Sequence, residues 1–199
     1  MFDTYGLFPV PISIANLENA MTNAESAKVF DLETRRNHGN NITTNNYILD
    51  LPEFQNLKSK LQNALEIYFK KLYSNKNATP YITQSWINYT STNDYHHVHT
   101  HTNSIFSGVF YIQTLEQDKI YFYKDSLPVF DFTEDKNYNL YTSLDWHFPV
   151  KNNDLIVFPS NIRHSVEQNQ SDITRISLAF NTYVKGSVGE ASGSNKLEM

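Results

Sequence analysis

The chain has 199 residues, a formal charge of -5 and 40% hydrophobic content, which suits one domain with a real core and leaves too little length for two. Its 16 Lys and Arg against 21 Asp and Glu leave no basic footprint for a phosphate backbone, which argues against a nucleic-acid partner. No apolar run approaches the roughly 20 residues that span a bilayer, and MFDTYGLFPVPI lacks the basic start and apolar core of a signal peptide, so a cytoplasmic protein without a membrane segment is expected.

After LFPVPISI, the residues Leu17, Ala20, Met21, Ala24 and Ala27 recur at helical intervals and predict a helix over about 16–37. A second helix is predicted from Asp50, where Asp50 and Glu53 have capping-box spacing and Pro52 falls in the first turn. Beyond it Phe54, Leu57, Leu61, Ala64, Leu65, Tyr68, Phe69 and Leu72 form one apolar stripe that should lie on a sheet. From about Tyr81 the chain turns to short β-branched and aromatic runs: YITQSWINYT, SIFSGVFYIQT, KIYFYKD, LDWHFPV, DLIVFPS and ITRISLAFNTYV. In the last, Ile176, Leu178 and Phe180 alternate with Arg175, Ser177 and Ala179. The stretch from about Ser126 to Trp146 has no readable period. Helices first and many short strands after them predict a mainly β sandwich or jelly roll. One domain over 1–184 is expected, with a helical buttress within about 12–73 and a β core over about 81–184, followed by a flexible tail over 185–199.

With no cysteine, a transition metal has to be held by imidazole, carboxylate or water. Four of the seven histidines, His96, His97, His99 and His101, fall in DYHHVHTHTN. In an extended segment residues two apart share a face, so His97 with His99, or His99 with His101, can supply two adjacent ligands. His164 follows DLIVFPSNIR and stands at the end of a buried strand, where rigid structure can present a third ligand. Three ligands on one side of a metal leave positions open for oxygen and a chelating partner. The competing account is a solvated polar loop or a fortuitous surface patch. His38 and His147 have no neighbouring ligand candidate, and Trp86 and Phe158 read as core.

Arg175 lies eleven positions after His164, and the intervening SVEQNQSDIT reads as a hairpin with its turn on Asn169 and Gln170. That register would set His164 opposite Arg175 on neighbouring strands, roughly 5 Å apart. Ser177 would share their face. An Arg on an apolar strand needs an anion, and its fork together with a Ser hydroxyl suits a carboxylate, so a dicarboxylate could reach from the metal to Arg175. The alternative for Arg175 is an internal salt bridge to one of the chain's own carboxylates.

The ordered set of His-X-His, SGVFY, FPS with His164, Arg-X-Ser and Phe-Asn resembles the 2-oxoglutarate- and iron(II)-dependent oxygenases related to prolyl hydroxylases. The resemblance runs from LFPVPI through SWINY and HTHTNSIFSGVFYI to VFPSNIRHSVEQNQSDITRISLAFN. It implies a double-stranded β-helix of cupin-like jelly-roll form, with N-terminal helices packed on the major sheet. It also implies Fe(II), 2-oxoglutarate as co-substrate and ascorbate as a reductant. The reaction implied is hydroxylation of a C–H bond on an amino acid, a peptidyl prolyl or another protein side chain, releasing succinate and carbon dioxide. Similarity to the segment before SGVFY selects His99 and His101, with His164, over the 97/99 pair. One departure stands out, because the family's usual middle ligand is Asp or Glu and this chain has His101. Tyr111, Asn88 and Asn181 flank the site on strands as co-substrate contacts or as ordinary packing and backbone partners. Two other readings remain, a three-histidine dioxygenase of the thiol-oxidising kind that uses no 2-oxoglutarate, and a cupin-like module that binds without turnover.

Overall fold

The apolar stripe that begins at Phe54 lies against a sheet, as its spacing predicts. In the structure, a computed structural model describing residues 2–125, 139–190 and 192–199, Leu57, Leu61, Leu65, Tyr68 and Phe69 of this helix are buried. They meet Ile87, Phe106, Phe110, Ile176, Leu178 and Phe180 in one core cluster. Each such side chain contributes roughly 1.5–3 kcal/mol by leaving water.

Among the described residues the elements in chain order are β1 (Ser13–Asn16), α1 (Asn23–Lys28), β2 (Thr34–Arg36), β3 (Asn41–Thr43) and α2 (Gln55–Leu72). Then follow β4 (Ala78–Thr90), β5 (His96–His99), β6 (Phe106–Gln113), β7 (Lys119–Tyr123) and β8 (Asp145–Pro149). The last are β9 (Asp154–Pro159), β10 (Arg163–Val166), β11 (Arg175–Val188) and β12 (Leu197–Glu198). The major sheet has the order β1-β9-β6-β11-β4-β3-β2, with β12 pairing β11, and the minor sheet has the order β5-β10-β7-β8. All named pairings are antiparallel. This is the mainly β jelly roll expected, formed by two sheets that face each other without closing.

Strand alternation divides the major sheet into two faces. Phe110, Leu178 and Phe180 point to the helices, whereas Tyr111, Ile156 and Phe158 join Ile120, Phe122 and Val150 in a second cluster between the sheets. Gly108 lets the helix-side face close, because a Cβ there would overlap the Phe180 ring.

Three expectations are corrected. The helix over 16–37 shrinks to Asn23–Lys28, since Asn16 still belongs to β1, Asn19 turns left-handed at φ 56 and the chain beyond Lys28 enters a 3-10 turn and then β2. The capping box is formed by Thr22 and Glu25. Asp50 caps nothing, because 3-10 turns at Ile48–Asp50 and Pro52–Phe54 precede α2 and the Asp50 carboxylate instead meets Lys58 Nζ at 2.7 Å. Finally, β11 carries the core past Val184 to Val188, and Leu197–Glu198 returns to pair with it, where a free tail was expected. The part of the unreadable stretch over 126–138 lies outside the described residues. Among the described residues no helix is long and apolar enough to cross a membrane.

Candidate metal centre

β5 and β10 pair with His99 opposite His164, and the register slips between this pair and the next, Val166 with His96. His101 lies just beyond β5, where its backbone N–H donates to the Ser160 carbonyl at 2.9 Å. The nitrogens of His99, His101 and His164 that could serve as ligands all lie within 4.8 Å of one another, and the Nε2 atoms of His101 and His164 are 3.3 Å apart.

The ring tautomers follow from the backbone. His99 Nδ1 lies 2.8 Å from the His97 carbonyl and His164 Nδ1 lies 3.1 Å from the Ile162 carbonyl. A carbonyl only accepts, so Nδ1 of each ring carries the proton and Nε2 keeps its lone pair. Burial is the main force on their titration. It lowers His99, lowers His164 well below the ordinary imidazole value, and with the His99 charge nearby pushes His101 down to about 4. Three neutral imidazoles whose free nitrogens converge form a donor set suited to a divalent transition metal. Phe158 seals the buried side, its ring 4.7 Å from that of His164.

The bulge alters the parity argument. His96 joins His99, His101 and His164 along the cavity between the sheets, stacked on His99 at 4.4 Å, while His97 lines only the outer cleft and packs edge-on against His38 at 4.8 Å. The expectation that His97, His99 and His101 share a face is therefore corrected.

The floor of the cavity is a ladder of rows across β4, β11 and β6. Ser177 lies between Asn88 and Tyr111, Ala179 between Trp86 and Val109, and Asn181 between Gln84 and Ser107, with Arg175 opposite Thr90 on β4. Asn88 accepts from Asn40 Nδ2 at 3.1 Å, and Asn181 accepts from the Ser107 hydroxyl at 3.2 Å. Asn181 lines the same cleft as His101 and works against the lowering of its pKa. The Tyr111 hydroxyl is buried without a partner among the described residues, and burial first, then the Asp118 charge, raises its pKa. An orphaned hydroxyl beside Ser177 and Arg175 fits an incoming carboxylate.

Arg175 is reached differently from the sequence expectation. No hairpin joins it to His164, because β10 belongs to the minor sheet and β11 to the major one, so the two residues line the same cavity from opposite sheets. The intended turn residue Asn169 is fully buried. Its backbone exchanges hydrogen bonds with Asn93 and Asp94, and its Nδ2 donates to the Thr90 and Ile173 carbonyls, which holds the crossover down. Arg175 Nε donates to Asp118 Oδ2 at 2.7 Å and Nη2 lies 2.6 Å from Oδ1, so the internal salt bridge weighed for this residue is present. The cavity between the triad and Arg175 holds about 30 Å³, the share of a single water, so a dicarboxylate enters only as lining side chains move. Of the lining rings, His96, Trp86 and Tyr111 have no side-chain hydrogen bond among the described residues.

Sequence reasoning missed Asp118, His96 and Trp86. Trp86 is half-buried and lies beside His101, and the His101 side opens into two clefts of about 620 and 270 Å³. The larger is lined by Tyr47, Thr83, Gln84, Thr100, Thr102 and Asn103 beside His101 and Asn181. A tryptophan on a strand two residues from a candidate polar contact, Asn88, was the available signal. His38 and His147 are exposed, and Phe158 is core, as expected.

Residues 84–181 match the model of a family described as "Putative 2OG-Fe(II) oxygenase". No curated protein matches the chain. Among solved structures, an oxidoreductase of the 2OG-Fe(II) oxygenase family from Burkholderia pseudomallei aligns at TM-score 0.60 and 14% identity, over 86% of this chain and 83% of the other. HygX from Streptomyces hygroscopicus, with nickel, 2-oxoglutarate and hygromycin B bound, aligns at 0.58 and 10%, over 87% and 82%. A Pseudomonas putida prolyl-4-hydroxylase aligns at 0.54 and 11%, over 86% and 92%. At these identities the structural likenesses speak to the fold.

Proposed function

We propose that the chain, whose residues 84–181 match a 2OG-Fe(II) oxygenase model, is an enzyme of that family and uses Fe(II) held by Nε2 of His99, His101 and His164 with 2-oxoglutarate as co-substrate. The observation that carries this reading is the convergence of three imidazoles, two of which, His99 and His164, direct Nδ1 protons to backbone carbonyls. Iron bound there supplies oxygen activation coupled to conversion of 2-oxoglutarate into succinate and carbon dioxide, with oxygen inserted into a substrate C–H bond.

The chain's own residues bind and shield. The Tyr111 hydroxyl, Ser177 and the remaining Nη1 edge of Arg175 receive the distal carboxylate, while Asn88 and Asn181 hold the floor of the site. Phe122 and Phe158 keep water from the His164 side. The substrate enters over Trp86 through the cleft beside His101, whose amides and hydroxyls suit the polar groups of an amino acid or peptide. Purified protein given Fe(II), ascorbate, oxygen and 2-oxoglutarate is expected to release succinate and to bind 2-oxoglutarate only when metal is present.

One observation favours a second reading, a three-histidine dioxygenase that needs no 2-oxoglutarate. Asp118 already occupies the fork of Arg175. Calorimetry separates the two, since metal binding without metal-dependent 2-oxoglutarate binding supports the second.

A further inference from the structure

Resting on the reading of this site as a 2-oxoglutarate pocket, we propose that Asp118 sets the affinity for the co-substrate by sharing Arg175 with its distal carboxylate. Nε and Nη2 of the guanidinium are both committed to Asp118, at 2.7 and 2.6 Å, and the side chains are 5% and 1% exposed. What remains is the outer edge, made of the second Nη2 hydrogen and of Nη1, the latter with a long contact of 3.4 Å to the Glu167 carbonyl. Asp118 is not free to leave. Its Oδ1 accepts its neighbour Lys119 N–H at 3.0 Å and its Oδ2 accepts Leu115 N–H at 3.3 Å, in a turn where Gln117 is left-handed at φ 59.

A carboxylate arriving from the triad therefore meets a cation whose charge is already balanced. It also meets a second carboxylate across a short, poorly screened distance. Asp118→Asn keeps the shape and removes the charge. The free protein is then left with an uncompensated buried cation, and binding of an anion relieves that cost, so by linkage the co-substrate binds more tightly as the free protein becomes less stable. If Asp118 only held Arg175 in position, the same substitution would weaken binding. The sign of the change decides.

The test uses protein loaded with Zn(II), which has no redox chemistry. Calorimetry follows 2-oxoglutarate and 2-oxopentanoate, which lacks the distal carboxylate, and thermal melts are recorded in parallel. For Asp118→Asn the structure predicts a lower melting temperature without ligand and a Kd for 2-oxoglutarate about tenfold tighter than wild type. In the unmodified protein, losing the distal carboxylate should cost less than about tenfold in affinity, a measurement that needs no variant to fold. Unchanged or weaker binding by Asp118→Asn, or a preference of wild type for 2-oxoglutarate beyond about a hundredfold, overturns the proposal. Wild type that binds the metal but no 2-oxoglutarate overturns the functional reading itself, a result distinct from the sign of the Asp118→Asn change.

Discussion

The indole of Trp86 lies 5.7 Å from the ring of His101, centroid to centroid, with the planes 26° apart. His101 sits beyond the end of β5 and has no ladder to fix it, so the aromatic face of Trp86 orients the imidazole. Outer contacts of this kind typically carry 10- to 100-fold in metal affinity. Trp86→Ala is expected to weaken Zn(II) binding by about tenfold in a chelator competition, whereas Trp86→Phe keeps a flat face and stays close to wild type. Equal affinities for all three proteins would remove Trp86 from the site.

The bulge between β5 and β10 makes a register prediction. Alanine at His99, His101 or His164 removes a converging nitrogen and should lower Co(II) affinity by about a hundredfold or more, with loss of its ligand-field bands. His97→Ala retains the carbonyl that His99 uses and should stay within about threefold of wild type. A large effect of His97→Ala would instead favour the 97/99 pair.

Acid should destabilise the metal-free protein before it protonates the site. His101 is pushed down to about 4 and His96 to about 3, in both cases by burial first and by the His99 charge second. The unfolded chain takes up these protons near pH 6.5, as ordinary imidazoles do. The stability these rings contribute is therefore complete above about pH 6.5 and is lost as pH falls through 4 for His101 and 3 for His96. Thermal melts of the metal-free protein from pH 7 to 4 should show a falling midpoint, and a flat profile would contradict the burial of these rings.

Glu25 joins two helices. Oε2 accepts the Thr22 N–H at 2.7 Å and Asn56 Nδ2 at 3.0 Å, while Oε1 accepts the Leu57 N–H at 2.7 Å in the first turn of α2. α2 has no side-chain cap at its own N-cap residue, Phe54. Glu25→Ala strips both termini at once and should cost about 2–4 kcal/mol in urea unfolding. Glu25→Gln keeps an acceptor and should cost less. A loss below about 0.5 kcal/mol for Glu25→Ala would mean that water replaces the carboxylate at both ends.

What could be read from the sequence follows distance along the chain. The α2 stripe and the alternation of β11 are local periodicities, and both lie where the spacing puts them. His99, His101 and His164 stand out because imidazoles are few and a metal tolerates few donors in a chain without cysteine. Asp118 does not stand out, because LEQDK resembles a solvated turn and its partner Arg175 is 57 positions away. The hairpin after His164 fails for a similar reason. Asn169 is a turn former by composition, but its side chain staples the crossover to Thr90, 79 positions earlier, and sends the chain to the other sheet. Glu25 reaching Leu57 is likewise invisible to any local pattern.

β11 lies between β4 and β6 and supplies Arg175, Ser177 and Asn181 to the cavity. During synthesis both neighbours emerge well before it, and each must wait with an unpaired edge until the strand that separates them arrives. The order of translation and the order of assembly are thus opposed at the centre of the major sheet. Such non-local pairing is slow and leaves edges open to other chains. A nascent chain halted before Arg175 would lack the ladder that joins the two halves of this sheet, and would be a target for chaperones rather than a partly active enzyme.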